Sequence, residues 1–162
     1  MPSAISKIGN QIVLFLATGC GLGWIPFAPG TFGSLGGLVL VYGLSHLPLW
    51  GYIAAELAFI IVGVWICTRA GQLMGRVDPG SVVWDEIAAF PIVFAGVPLN
   101  PWTAVLGFVW FRLFDIAKPF PINRLERLPR GWGVMSDDLM AGLYAAAGLR
   151  ATIWLGGSFF VS

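Results

Sequence analysis

Apolar residues gather in five stretches of this 162-residue chain: residues 31–47, 52–68, 81–97, 102–117 and 138–161. A helix needs roughly 17–25 residues to cross the hydrocarbon core of a bilayer. The first four stretches sit at or just under that lower limit, so some spans are expected to be short, partly re-entrant or shielded by their neighbours. Glycines recur inside them, as in SLGGLVLVYG, which suits close helix approach where lipid supplies no hydrophobic drive. The pattern predicts an all-α polytopic membrane bundle of about five spans. Two further segments have helical spacing and mixed character. Ile5, Ile8, Ile12 and Phe15 recur beside Lys7, Asn10 and Gln11, and Ile122, Leu125 and Leu128 alternate with Arg124, Glu126 and Arg127. Both read as short interfacial helices lying flat on the inner surface. No internal repeat, low-complexity run or long linker divides the chain, so residues 1–162 are read as a single membrane domain.

Composition agrees with that solvent. The chain is 57% hydrophobic and 10% charged, against about 45–50% and about 25% for soluble domains. Nine basic residues against eight acidic ones leave no basic patch, which excludes nucleic acid as a partner. Cys20 and Cys67 lie in apolar surroundings with no CxxC spacing, so they are read as thiols and not as a zinc site or disulfide. The N-terminus has one lysine and no long apolar core before its glycines, and is expected to be retained. Lys7, then Arg69 and Arg76, then Lys118, Arg124, Arg127 and Arg130 fall at alternate span ends, while the opposite connections, SHLPLWG and AGVPLNPWT, and the tail GGSFFVS carry no lysine or arginine. Positively charged short loops stay in the cytoplasm, which orients the bundle.

The acidic residues fall on that same side. Asp85 and Glu86 sit at the cytoplasmic end of the third span, Asp115 near that end of the fourth, and Asp137 and Asp138 at the start of the fifth, with Asp78 in the adjacent loop. Carboxylates at membrane depth persist mainly when paired, metal-bound or lining water. Five together point to a divalent cation, and magnesium, with its preference for hard oxygen ligands, is the natural candidate. Each also has an ordinary explanation: Asp137 and Asp138 follow Ser136 and suit a helix N-terminus, and Asp115 stands between Arg112 and Lys118, either of which can pair with it. Their convergence on one face favours function. His46, the lone histidine, falls in an outer loop opposite the acids. Glu56 and Arg150 lie farther out and are expected to pair inside the bundle. APGTFGS, residues 28–34, opens the first span, where backbone amides can receive phosphate, although Pro29, Gly30 and Thr31 equally describe a turn and helix start.

Missing parts exclude several phosphatase mechanisms. Leu73 and Pro26 stand where a cysteine phosphatase would need its arginine, no inner-face histidine is available as a nucleophile, and the DxDxT motif is absent. Metal-assisted hydrolysis remains, with a carboxylate outside the ion's first shell as proton acceptor and Arg112 or Lys118 offsetting phosphate charge. An ion or proton transporter is the competing reading, but a pathway should carry polar groups through the full thickness, and these acids stop near one face.

The residues PGTFGS (29–34), GSVVWDE (80–86), FRLFDIAKPFPI (111–122) and GVMSDDLMAG (133–142), in that order and spacing, resemble the phosphatidylglycerophosphatase A family. That resemblance implies a magnesium-dependent phosphomonoesterase of the bacterial inner membrane, acting on phosphatidylglycerophosphate among membrane lipid with its active site facing the cytoplasm. It also implies Asp85, Glu86, Asp115, Asp137 and Asp138 as catalytic groups, with Asp85, Glu86, Asp137 and Asp138 as metal ligands. Thr31, Ser34 and Lys118 fall in the family's other motif positions and, with Arg112, are the expected substrate contacts. Ala89, where a glycine often follows the DE pair, and Arg130, where a GGxG usually begins, depart from the pattern and bear on loop shape.

Overall fold

A computed structural model describes residues 4–156, which form helices and loops with no strand among the described residues. The helices are α1 (Ala4–Ala17), α2 (Pro29–Leu44), α3 (Leu49–Met74), α4 (Trp84–Ala89), α5 (Pro91–Phe94), α6 (Pro101–Ala117), α7 (Ile122–Leu125) and α8 (Gly131–Gly156). Their ends follow local chemistry. Pro29 and Pro101 occupy the first turns of α2 and α6, where a missing N–H leaves no bond unmade. Asn100 caps α6: its side chain accepts from the Thr103 N–H at 2.9 Å while Thr103 Oγ1 accepts from the Asn100 N–H at 2.9 Å. Gly75 closes α3 in the left-handed region, φ 68°.

Two helices, α3 and α8, are long and apolar enough to cross a membrane. Each has 26 residues, about 39 Å at about 1.5 Å per residue. Leu57, Ile61 and Trp65 on α3, and Val105, Val109 and Leu113 on α6, are exposed apolar rows at helical spacing, the opposite of what water would select. The remaining expected spans differ from a plain five-helix picture. The helices α2 and α6 are shorter, at 16 and 17 residues. Residues 81–97 do not form one helix: they fold as α4 and α5, broken at Phe90–Pro91 because Pro91 has no N–H to return to the preceding turn. Of the fifth stretch, residues 157–161 lie outside the described residues.

A broken segment surrounded by apolar matter needs donors for its free carbonyls, and survives only when protein shields it. Phe90, Val93 and Phe94 are fully buried, or nearly so. The Tyr52 hydroxyl donates to the Pro91 carbonyl at 2.7 Å. Arg150 donates through Nη1 to the Val93 carbonyl at 3.3 Å and through Nη2 to that of Ala95. The expected Glu56–Arg150 pair is therefore not made: Arg150 serves the backbone, and buried Glu56 has no hydrogen-bond partner on either carboxylate oxygen. One surface segment is also corrected. Ile122 is fully buried in a one-turn α7, because it packs into the core with Phe111 and Leu149, while Ile8, Ile12 and Phe15 of α1 remain exposed as expected; the side chain of Ile5 lies outside the described residues.

The centre of the bundle is α8, which packs against α3, α4, α5, α6 and α7. Ala141, Ala145 and Leu149 enter one apolar core with Phe90 and Phe111, and Val134 and Met135 enter a second with Ile66 and Val82. Gly131 sets its approach to α3: the Gly131 N–H donates to Thr68 Oγ1 at 2.9 Å, and a Cβ there would fall 2.2 Å from the Val64 carbonyl oxygen. Gly131→Leu is expected to lose about 1–3 kcal/mol by overpacking, read as a lower melting temperature in detergent. An unchanged melting temperature would mean that this contact does not hold α3 to α8.

Candidate active site

The short helix α4 carries Asp85 and Glu86 in its first turn, where carboxylates complement the helix dipole. Its start is pinned by the Val83 N–H, which donates to the Ala17 carbonyl at 2.9 Å. Asp138 arrives from α8. One oxygen from each of Asp85, Glu86 and Asp138 lies within 4.8 Å of the other two, so side chains distant in sequence converge on one point. Asp85 and Asp138 are 7% and 4% exposed, and Asp85 Oδ1 and Glu86 Oε2 are buried without a hydrogen-bond partner.

Three carboxylates cannot share such a place as bare anions. At this spacing each ionised pair repels by roughly 3–4 kcal/mol even at an effective dielectric near 20. Orphaned buried oxygens make the same demand, because a polar group without water or partner is itself unfavourable. A hard divalent cation with oxygen ligands answers both, and the all-carboxylate donor set fits one.

Around the triad lie the other predicted residues. Arg112 and Asp115, one turn apart on α6, form an ion pair at 2.5 Å, and Asp115 is close enough to Glu86 and Asp138 to interact with them electrostatically. Asp137, expected among the metal ligands, is drawn elsewhere: Lys118 Nζ donates to it at 2.7 Å and to Glu126 at 3.0 Å. Adjacent residues on a helix point about 100° apart, and of the two only Asp138 joins the group with Asp85 and Glu86. Burial lowers the proton affinity of Lys118, but these two hydrogen bonds more than reverse it, and the ammonium stays charged above the usual lysine range. Asp78 is exposed on the α3–α4 loop, in electrostatic contact with Lys118.

The first turn of α2 forms a wall of the site. Thr31 is half-buried there, while Ser34 is fully buried with its hydroxyl donating to the Gly30 carbonyl at 2.8 Å. Gly30 was not among the predicted site residues. A Cβ on it would lie 2.4 Å from Glu86 Oε1 and 3.1 Å from Arg112 Nη1, so a side chain there would push both groups aside; its place in the PGTFGS segment was the available signal. His46 is exposed, with Nδ1 2.8 Å from the Tyr42 carbonyl oxygen near the far end of α2.

A sequence model of the family described as phosphatidylglycerophosphatase A matches residues 15–153, which include every residue of this cluster. A phosphatidylglycerophosphatase A of Haemophilus influenzae is 43% identical over 133 residues, covering 80% of this chain and 82% of the relative. One from Escherichia coli is 40% identical over 133 residues, covering 81% and 77%. A Bacteroides thetaiotaomicron protein, provisionally named a phosphatidylinositol-3-phosphatase, is 34% identical over 157 residues, covering 92% and 98%. No solved structure matches the chain significantly.

Removing one member of a repelling triad has a definite sign. In chelator, Asp138→Asn is expected to melt higher than the unaltered protein by roughly 2–4 °C for each kcal/mol of relieved repulsion, and to lose the stabilisation that added divalent cation gives the unaltered protein. Equal melting temperatures with and without cation in both proteins would show that the carboxylates do not act as one charged unit.

Proposed function

Because the chain belongs to the phosphatidylglycerophosphatase A family, we propose that it removes the terminal phosphate of phosphatidylglycerophosphate, leaving phosphatidylglycerol and phosphate, at the cytoplasmic face of a bacterial inner membrane. The observation that carries this reading is the meeting of Asp85, Glu86 and Asp138 within 4.8 Å, inside the segment that the family model matches. Asp85, Glu86 and Asp138 would hold a magnesium ion, which when bound supplies a Lewis acid that polarises the phosphoryl group and acidifies water.

The remaining roles belong to side chains. Asp115, paired with Arg112, accepts a proton of the attacking water as the new oxygen–phosphorus bond forms and returns it to the ester oxygen, whose bond to phosphorus breaks to release phosphatidylglycerol. Arg112 and Lys118 offset phosphate charge, the first through a forked guanidinium and the second as a point charge. Asp137 and Glu126 keep Lys118 placed. The Thr31 hydroxyl is the α2 contact for phosphate, whereas Ser34 holds the Gly30 carbonyl.

Placement in the membrane rests on the apolar exposed rows and on charge. Arg69 and Arg76, near the end of α3, and Lys118, Arg124, Arg127 and Arg130, between α6 and α8, stand at the end of the bundle that holds the acids, which supports a cytoplasmic site. The proposed crossings are α2, α3, the broken α4–α5 segment, α6 and α8, five in all, with the third shielded inside the bundle.

Purified protein in detergent micelles is expected to release phosphate from phosphatidylglycerophosphate with magnesium and to stop when the ion is chelated. Asp85→Asn, Asp115→Asn and Asp138→Asn should each fall by roughly 10²–10⁴-fold, with phosphatidylinositol 3-phosphate as the comparison substrate. Full activity in all three folded variants, or turnover indifferent to chelation, would overturn the assignment.

A further inference from the structure

A groove of about 580 Å³ runs along α2, between α1 and α4. Leu16, Leu22, Val39, Leu40, Trp84 and Ile87 form its walls, and apart from Cys20 its lining is entirely apolar side chains and glycine. The floor is opened by Gly36 and Gly43; a Cβ at Gly43 would meet nothing within 4 Å.

The course of the groove relates it to the acids. Trp84 and Ile87 bracket the Asp85–Glu86 pair in sequence. On α2, Gly30 and Gly33 touch Glu86, Gly36 touches Ile87 one turn later, and the groove continues past Gly43 to Leu44. On α2 it therefore starts about 9 Å from Gly30, the residue beside the Glu86 carboxylate, and extends for about a further 12 Å at about 1.5 Å per residue. A second apolar cleft of about 200 Å³, lined by Ala58, Phe59 and Val62, shares Trp84 as a wall. Trp84 is fixed there: its indole N–H donates to the Phe59 carbonyl at 3.3 Å and its ring stacks on that of Phe59.

We propose that this groove takes an acyl chain of the lipid substrate, with the phosphate of that lipid presented to Asp85, Glu86 and Asp138. The inference deepens the function proposed above and rests on it. An apolar channel that begins near a phosphate-directed site has the shape and polarity of a lipid tail, and a pocket of this size lies within the range of about 300–1,000 Å³ that holds small ligands. Anchoring the tail also converts a collision with the headgroup into a positioned encounter.

Gly43→Leu tests the groove at its far end, where the added side chain enters open space. The ratio of kcat/KM for dioleoyl over dihexanoyl phosphatidylglycerophosphate should fall about tenfold, the scale set by a few methylenes in an apolar pocket, while Val105→Leu, on the exposed face of α6, leaves the ratio unchanged. A ratio unaltered by Gly43→Leu overturns the proposal. A second measurement does not depend on turnover: phosphatidylglycerophosphate with a photoreactive group on one acyl chain, in phosphatidylcholine vesicles, should label the α2 groove and lose that labelling in Gly43→Leu. Equal labelling by the matching phosphatidylcholine probe would mean that ordinary bilayer lipid fills the groove, and also overturns it. Selective labelling in a protein that releases no phosphate would instead retain the groove and remove the phosphatase reading.

Discussion

Everything in this bundle is arranged around the mutual repulsion of carboxylates held away from water. Asp85, Glu86 and Asp138 are brought to one point by α4 and α8, and nothing in the apolar core favours that arrangement. The stability that tolerates it comes from elsewhere, chiefly from the two apolar cores on either side of α8 and from the close seat of Gly131 on α3. Local charge is handled with the same economy. Arg112 is matched to Asp115 and Lys118 to Asp137 and Glu126, whereas none of these ion pairs includes a member of the triad.

Much of this was legible in the sequence because it follows from one-dimensional rules. Apolar runs located α2, α3, α6 and α8, lysine and arginine spacing gave the end of the bundle at which charge collects, and the ordered motifs gave the acids. What escaped needed the third dimension. Asp137 and Asp138 are neighbours in sequence and so read alike, yet successive helical positions diverge, and only the rotation of α8 decides which of them meets α4. Glu56 and Arg150 were matched by depth alone, and depth does not fix azimuth around a helix axis. Ile122 shares its spacing with a surface stripe, but a one-turn helix against Phe111 buries it.

The break at Pro91 shows how a local rule propagates. The chain after Pro91 makes only the single turn of α5, so the carbonyls of Pro91, Val93 and Ala95 lack a full helical ladder and need other donors. Tyr52, which is buried, and Arg150, which is exposed, supply them.

Arg150 and Asp138 stand on the same helix, about 18 Å apart at about 1.5 Å per residue, and each engages one part of the broken segment: Arg150 donates to carbonyls in and just after α5, and Asp138 meets the carboxylates of α4. Helix α8 thus works as a tie-bar clamped at both ends. The spacing of the acids at one end of the bundle is gauged against a fastening at the other, with the proline joint lying between them.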